Sequence, residues 1–346
     1  ILYLMNVPQE IYKDAYYYIQ IVVIGLFVAN FYNLLASIIR ALGDSMTPLH
    51  CLIIASVINI FLALLFILQF HLGVPGSALA LVLSQAISGL LCVWYVKKHF
   101  PILHLKKQDW IFNWKTEFSF AMQHLKVGVP MAVQFAILGL SILIIQSVCN
   151  TFGANVIAAF TAALRIEQIA TLPMISFGVA LASFVAQNFG AGCFSRIRFG
   201  VKKASLINLG LSIVMAFIMH FFGGDLVRIF IGSGNEAVVK IAHDYLFRSS
   251  LFYFFLAQIF IYRNALQGLG RAVIPMLASI GELLMRAFAA IYLATKIGYF
   301  GVFYAGPIAW IAASLVLAIG YYSSIKSFIF KTQLKLRQKK KCLATF

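Results

Sequence analysis

The chain has 346 residues, of which 62% are hydrophobic and only 11% are charged, and its mean hydropathy is +0.93. A soluble domain of this length cannot bury so much apolar surface, which excludes soluble enzymes and soluble binding modules. The net charge of +17 is spread over separate loops, and this distribution argues against a nucleic-acid-binding protein.

Long apolar stretches dominate the chain, and each approaches or exceeds the roughly 20 residues that a membrane-spanning helix needs. Polar and apolar residues do not alternate within them, as they would in a β-barrel, so helices must satisfy the backbone in lipid. We therefore predict an all-helical, polytopic membrane protein with nine spans. In chain order the predicted spans are 17–38, 49–70, 77–96, 127–150, 157–187, 203–222, 245–265, 274–295 and 302–325.

One stretch, residues 100–126, is mixed aromatic and basic and too polar to span. We interpret it as a linker between two lobes. The predicted organisation is therefore the C-terminal part of a first lobe with three spans, a basic cytoplasmic linker, a second lobe with six spans, and a basic cytoplasmic tail. These four parts are residues 1–99, 100–126, 127–325 and 326–346.

The basic residues predict the orientation of the spans, because cytoplasmic loops are enriched in Lys and Arg. With the C-terminus inside, 20 of the 27 basic residues fall in cytoplasmic segments, including Arg263, Arg271, Lys106 and Lys107. Five fall outside, and two lie within spans. We expect a multi-pass plasma (inner) membrane protein whose tail, "KLRQKKK" at 335–341, lies near anionic lipid headgroups.

An internal repeat relates the two lobes. "RALGDSMTP" (40–48) returns as "QGLGRAVIP" (267–275), and an offset of 227 or 225 also aligns residues of the flanking helices. This pattern indicates a duplicated membrane protein whose two copies have the same orientation. Three further spans precede the second copy, so we expect the parent protein to have twelve helices, of which this chain lacks the first three.

Several stretches resemble the multidrug and toxic compound extrusion (MATE) family, from its third to its twelfth helix. They are "NLLASIIRALGDSMTP" (33–48), "GVPMAVQ" (128–134), "AAFTAALRIEQIATLP" (158–173), "GVALASFVAQNFGAG" (178–192) and "NALQGLGRAVIP" (264–275). The resemblance implies a two-lobe transporter fold.

By the same resemblance, the protein is a monomeric antiporter without enzymatic activity or cofactor. It would export small organic cations or drugs in exchange for protons (H+) or sodium (Na+), by alternating access. The alternative within the same superfamily is a flippase for a lipid-linked oligosaccharide or peptidoglycan precursor.

Ionisable residues inside spans are costly in lipid and so are candidates for function. Glu282 and Arg286 are four residues apart and share a helix face, where they can pair. Glu167 and Arg165 are two apart and lie on different faces. These residues are either static ion pairs that hold the lobe together, or one of the acids changes its protonation or ion occupancy and biases the lobe between two conformations.

The chain also departs from the family. Many members carry an Asn and, four residues later, an Asp in the fifth helix, whereas this chain has Asn59 and Ala63. Some relatives carry another acid about ten residues before the second Gly motif, near the neutral Gln258 of this chain. Two positions that often carry a coupling carboxylate are thus neutral here.

Amide and aromatic side chains within spans are candidates for the substrate path. The alternative is that they form hydrogen bonds between neighbouring helices. They are Asn30, Asn33, Gln134, Gln146, Gln258, Tyr262 and Asn264. Pro173 lies in mid-span and predicts a hinge or a static kink. The spacing of the Cys and His residues matches no metal motif, and no nucleotide-binding or hydrolase motif occurs, so we expect neither a metal site nor catalytic residues.

Overall fold

The computed structural model describes residues 9–104, 113–231 and 235–343, and within these ranges the chain is helical with no strand. A π-helical turn, Leu65–Gln69, prolongs the second helix. The helices are α1 (Gln9–Ala41), α2 (Met46–Leu64), α3 (Gly73–His99), α4 (Trp114–Cys149), α5 (Ala154–Gly190), α6 (Phe194–Ile231), α7 (Glu236–Ser250), α8 (Tyr253–Gly268), α9 (Val273–Ile297) and α10 (Tyr299–Leu343).

The membrane-spanning helices agree with the sequence prediction. In the described ranges eight helices are long and apolar enough to cross a bilayer, and the count is nine if the bent pair α7 and α8 forms one span. Each predicted span falls on one of these elements, so the predicted all-helical polytopic fold is confirmed. Helix α4 begins at Trp114, which makes the last part of the predicted linker helical, whereas Lys106 and Lys107 lie outside the described residues.

The chain divides into two compact units, Ile1–Asn113 and Trp114–Phe346. In the first unit α3 packs against both α1 and α2, around a small core that includes Tyr32, Cys51 and Cys92. In the second unit a larger core forms mainly between α5, α6, α7, α8 and α10. The division falls within the stretch that the sequence analysis assigned to a linker.

The repeated Gly motif adopts the same turn in both units. Gly43 and Gly270 have positive φ angles of 99° and 71°, which favour glycine because a Cβ atom is crowded there. Three backbone hydrogen bonds close each turn, and they coincide at the offset of 227. They join the N–H groups of Leu42, Gly43 and Asp44 to the carbonyls of Ile38, Arg40 and Ile39, and those of Leu269, Gly270 and Arg271 to the carbonyls of Ala265, Gln267 and Leu266.

The first turn carries a helix cap that the second lacks. Asp44 Oδ1 accepts hydrogen bonds from the backbone N–H groups of Met46 and Thr47, both at 3.0 Å. The corresponding residue in the second turn is Arg271, whose guanidinium lies over the Phe328 ring instead. Partial burial raises the pKa of Asp44, but the hydrogen bonds from Thr47 and Met46 outweigh it, and the net pKa is below the usual value.

Replacing Asp44 by Ala is expected to lower the free energy of unfolding by about 0.5–2 kcal/mol at neutral pH, the usual value of a helix cap. Because the folded-state pKa of Asp44 is depressed, this stabilisation is complete above the unfolded pKa of about 4 and is lost as pH falls through the folded pKa. Detergent-solubilised wild type and variant should therefore differ in unfolding at pH 7 and converge in strong acid. An equal difference at both pH values would contradict a role for the ionised cap.

The two repeats differ in one helix. In the first unit α1 is continuous, whereas its counterpart in the second unit is broken between α7 and α8, which meet at 56°. Ser249 and Ser250 at this break are buried. Broken helices at membrane depth are tolerated where they line a cavity, because their free backbone groups then find polar partners.

Gly301 permits α9 and α10 to approach closely. A Cβ atom at this position would overlap the backbone of Leu293 and Ala294 near the end of α9. Replacing Gly301 by Ala is expected to lower the free energy of unfolding by about 1–3 kcal/mol, because the two helices must separate. The matched control is Gly281→Ala, within α9, where an added Cβ meets nothing within 4 Å. We expect the control to leave thermal stability unchanged or slightly higher; equal losses in both variants would contradict the close approach.

Candidate functional site

Glu167 is the buried acid of α5. Its side chain lies among core residues of the second unit and is only 8% exposed, whereas Arg165, two residues earlier, is exposed on another face, as the spacing predicts. Tyr245 Oη on α7 donates a hydrogen bond of 2.8 Å to Glu167 Oε2. The other carboxylate oxygen, Oε1, is buried without a hydrogen-bond partner among the described residues.

A pocket of about 200 Å³ opens next to this carboxylate, and we call it the Glu167 pocket. Its wall is mostly apolar and aromatic, with a second ionisable group, Arg286 of α9. The described residues do not include an ion pair between Glu167 and Arg286, although both line the pocket. The lining residues are Ile142, Ile145, Phe160, Leu164, Glu167, Gln168, Thr171, Tyr245, Leu256, Phe260, Arg286, Val302, Gly306 and Trp310.

The break between α7 and α8 lies beside Glu167. Tyr245 lies on α7 and contacts Glu167, while Tyr253 begins α8 and is fully buried. The hydroxyl of Tyr253 has no hydrogen-bond partner among the described residues. A buried carboxylate oxygen and a buried hydroxyl without partners can hold a proton, a small cation or a water molecule, because each otherwise bears an uncompensated desolvation cost.

Glu282 is the second buried acid, and two arginines hold it. Arg286 Nη2 donates to Glu282 Oε1 at 2.6 Å, within α9, and Arg263 Nη2 of α8 donates to Glu282 Oε2 at 3.1 Å. All three side chains are at most 11% exposed. Both carboxylate oxygens are therefore occupied, and the triad joins α8 to α9.

Arg263 corrects the sequence analysis. In the sequence analysis it is predicted in a cytoplasmic loop, and this prediction is wrong: Arg263 lies in α8 and is 7% exposed, so the buried arginines include Arg263 as well as Arg286. Arg165 lies within the spanning helix α5, as predicted, and its side chain is exposed. The predicted span 245–265 already contained Arg263, and this was the signal that could have placed it inside the membrane.

The predicted substrate-path residues of the second unit mostly make local or interhelical hydrogen bonds. Gln134 Oε1 accepts from Gln267 Nε2 at 3.2 Å, and Gln258 Oε1 accepts from Ser205 Oγ at 2.6 Å. These contacts match the helix-joining alternative. The remaining candidates are Gln146, which donates to Asn150; Asn264, which donates to the Phe260 carbonyl; and Tyr262, which lies among Tyr321 and Tyr322.

The first unit contributes no assembled polar site among its described residues. Asn30 and Asn33 on α1 are exposed, and Asn59 on α2 is half-buried, one turn before Ala63. Pro173 is half-buried inside α5, which continues through it as a single helix from Ala154 to Gly190. No group of three or more His, Cys, Asp or Glu residues suited to a metal ion occurs in the described ranges.

A family model described as MatE matches residues 1–65 and 130–292, about two thirds of the chain. The chain belongs to the MatE family. This family consists of membrane transporters rather than enzymes, which confirms the resemblance noted in the sequence and its non-enzymatic class. Both matched parts include the repeated Gly motif and its preceding helix.

Curated MatE relatives are longer than this chain. "Probable multidrug resistance protein YpnP" of Bacillus subtilis is 32% identical over 281 residues, which are 80% of this chain and 60% of that protein. "Probable multidrug resistance protein YoeA" of the same organism is 27% identical over 333 residues, which are 94% of this chain and 71% of that protein. A crystal structure of a MATE protein in a bent conformation matches with a TM-score of 0.87 and 20% identity, covering 95% of this chain and 72% of that one, and shows the same fold.

Proposed function

We propose that this chain serves a secondary active multidrug efflux antiporter, which exports organic cations or drugs by alternating access in exchange for protons or sodium. The observation that carries the proposal is Glu167, a buried residue that lines a pocket and has one carboxylate oxygen without a hydrogen-bond partner among the described residues. The names of the relatives supply the substrate class. The excess of Lys and Arg in alternate loops supports an orientation with the C-terminus in the cytoplasm. The location that we propose is the plasma membrane.

Glu167 is a better coupling group than Glu282. Both oxygens of Glu282 accept hydrogen bonds from guanidinium groups, and this arrangement fixes the position of the carboxylate. Glu167 accepts one hydrogen bond, from the neutral hydroxyl of Tyr245. Its Oε1 accepts none among the described residues, although Ser249, Tyr253 and Arg286 lie near it. A group that exchanges a cation during each cycle needs such an oxygen, so we assign Glu282 to bracing and Glu167 to cation binding.

The size of the Glu167 pocket supports an ion rather than a drug as its occupant. A volume of about 200 Å³ is below the 300–1,000 Å³ that is usual for drug-sized ligands. A single carboxylate balances one monovalent cation. We infer that the organic substrate binds elsewhere, along the substrate path predicted from the amide residues.

Cation binding at Glu167 would bias the unit between two conformations. An ionised carboxylate with an unpaired oxygen in a low-dielectric pocket is costly, and a bound proton or sodium ion removes that cost. Because the transported cation stabilises one conformation more than the other, a gradient of that cation shifts their populations. The break between α7 and α8, beside Tyr245, is the element that this change would move first.

The flippase alternative needs free cationic groups for a pyrophosphate. Arg263 raises the number of buried arginines, which favours this alternative, but Arg263 and Arg286 both donate to Glu282. The three groups together carry one net positive charge, and the Nε–H groups of both arginines lack a partner among the described residues, but a pyrophosphate carries at least two negative charges.

The test is an efflux assay on the full-length protein in proteoliposomes loaded with ethidium. A gradient of one of the two cations, protons or sodium, should drive ethidium export. Liposomes without a gradient should show only the passive leak of ethidium. Absence of gradient-dependent export under both conditions would overturn the drug-efflux proposal. Movement of a fluorescent lipid-linked pyrophosphate in the same vesicles would favour the flippase.

A further inference from the structure

Two adjoining grooves lie in the second unit, around the first turns of α6. Their volumes are about 590 and 760 Å³, and Arg198 lines both. We call them together the basic groove. Its lining residues from α6, α8 and α10 are Ser195, Arg198, Phe199, Val201, Lys202, Ser205, Leu206, Tyr262, Tyr321, Tyr322, Ser323, Ile325, Lys326, Ser327, Ile329 and Phe330.

The polar residues of the basic groove share helix faces. Ser195, Arg198, Lys202 and Ser205 are spaced three, four and three residues apart, which places them along one side of α6. Tyr322 and Lys326 are four residues apart on α10 and therefore also lie on one side. Two helices thus present three cationic groups and several hydroxyl groups toward the same space.

Positive charge in the basic groove is not neutralised by neighbouring acids. No Asp or Glu is among the described residues that line it. Tyr321 is 1% exposed, and its hydroxyl has no hydrogen-bond partner within the described part of the chain. The Tyr321 hydroxyl lies too deep for a molecule in the groove to reach, so the anionic partner is indicated by the cations themselves, which have no acid beside them among the described lining residues.

Apolar side chains border the same groove. Phe199 is 65% exposed, Leu206 is 52% exposed and Phe330 is 61% exposed. Leu206 is two turns further along α6 than Phe199, toward the centre of the predicted span. Cationic and hydroxyl groups at the membrane end of a helix, followed by exposed apolar side chains, match a molecule with a charged head and a hydrocarbon tail.

We propose that the basic groove is a binding site for an anionic phospholipid, whose phosphate contacts Arg198, Lys202 and Lys326 and whose acyl chains lie along Phe199 and Leu206. A guanidinium and hydroxyl donors suit a phosphate group. Basic pockets between spans attract anionic lipids because the cytoplasmic leaflet is negatively charged. The groove lies apart from the Glu167 pocket, with which it shares no lining residue, so the proposal does not depend on the proposed function.

The test measures lipid retention by the full-length protein. The purified protein is reconstituted in nanodiscs of phosphatidylglycerol and phosphatidylcholine, released from them, and the retained lipids are counted by native mass spectrometry. Replacing Arg198 and Lys202 together by Gln should reduce retained phosphatidylglycerol about tenfold. The matched control replaces Lys115 and Lys126 by Gln, two exposed residues of α4 that line neither groove, and should retain phosphatidylglycerol as the wild type does.

Three results would overturn the proposal. An equal loss of phosphatidylglycerol in the two double variants would show that positive charge anywhere on the protein attracts the lipid and that the groove is not a specific site. Equal retention of phosphatidylcholine and phosphatidylglycerol by the wild type would exclude recognition of an anionic lipid. Displacement of the bound lipid by inorganic phosphate alone would assign the groove to a free anion. Thermal unfolding of the variants, whose substituted side chains are exposed, should match the wild type and so separate lipid loss from misfolding.

Discussion

Replacing Glu167 by Gln is expected to reduce gradient-driven ethidium efflux by about tenfold or more, a factor that corresponds to a typical coupling free energy of about 1–3 kcal/mol. The amide has the shape of the carboxylate and keeps an oxygen that accepts from Tyr245, so the local packing is retained. It cannot exchange a proton or balance a sodium ion. The cation would then bind neither conformation in preference to the other. Its gradient could no longer drive the conformational change, and efflux would fall to the leak rate. The measurement is the initial rate of ethidium export from proteoliposomes.

The matched control is Glu117→Gln, the same chemical change at an exposed residue in the first turn of α4. We expect it to keep the wild-type efflux rate. The Glu167 variant should remain folded, because Gln keeps the hydrogen bond from Tyr245 and Glu282 still pairs with both arginines. Normal gradient-driven efflux by a folded Glu167→Gln protein would show that another group couples transport.

Replacing Glu282 by Gln is expected to lower the free energy of unfolding by about 3–5 kcal/mol, because the change leaves two buried guanidinium groups without a counter-charge. Both ion pairs, at 2.6 and 3.1 Å, are lost at once, and with them the polar link between α8 and α9. Reversible unfolding of the purified protein in mixed micelles, followed by tryptophan fluorescence, measures this loss.

The exposed ion pair between Arg228 and Glu236 supplies the control. Its side chains are 45% and 68% exposed, so Glu236→Gln should leave the free energy of unfolding nearly unchanged. Replacing the whole triad by apolar residues, Glu282→Leu with Arg263→Met and Arg286→Met, should recover most of the lost stability, because no unpaired charge then remains. A Glu282→Gln protein as stable as Glu236→Gln would contradict the bracing role.

Together these variants separate the two acids. Glu167→Gln should lose transport and remain folded, whereas Glu282→Gln should lose stability first. Arg286 links the two sites, because it pairs with Glu282 and also lines the Glu167 pocket. The triple apolar replacement is therefore a test of stability alone and not of transport.

The sequence by itself determined the spans, the turns and the duplication. Hydropathy is a sum over neighbouring residues, so a run such as 274–295 predicts a helix in lipid whatever it packs against. A positive φ angle favours glycine whatever the rest of the chain does. The glycine motif at Gly43 and Gly270 therefore predicts the same turn at both places. The spacing of Glu282 and Arg286 likewise placed both on one face of one helix.

Only the tertiary structure decided which side chains meet across helices. Tyr245 and Glu167 are 78 residues apart in sequence, and Arg263 and Glu282 are 19 apart, on different helices. Such pairs depend on how each helix is rotated about its axis and which helix lies beside it, and neither quantity is encoded in a local apolar run. The break between α7 and α8 has the same origin. Residues 245–265 are apolar enough for one straight span, and packing around the buried Tyr245, Ser249 and Tyr253 accompanies the bend.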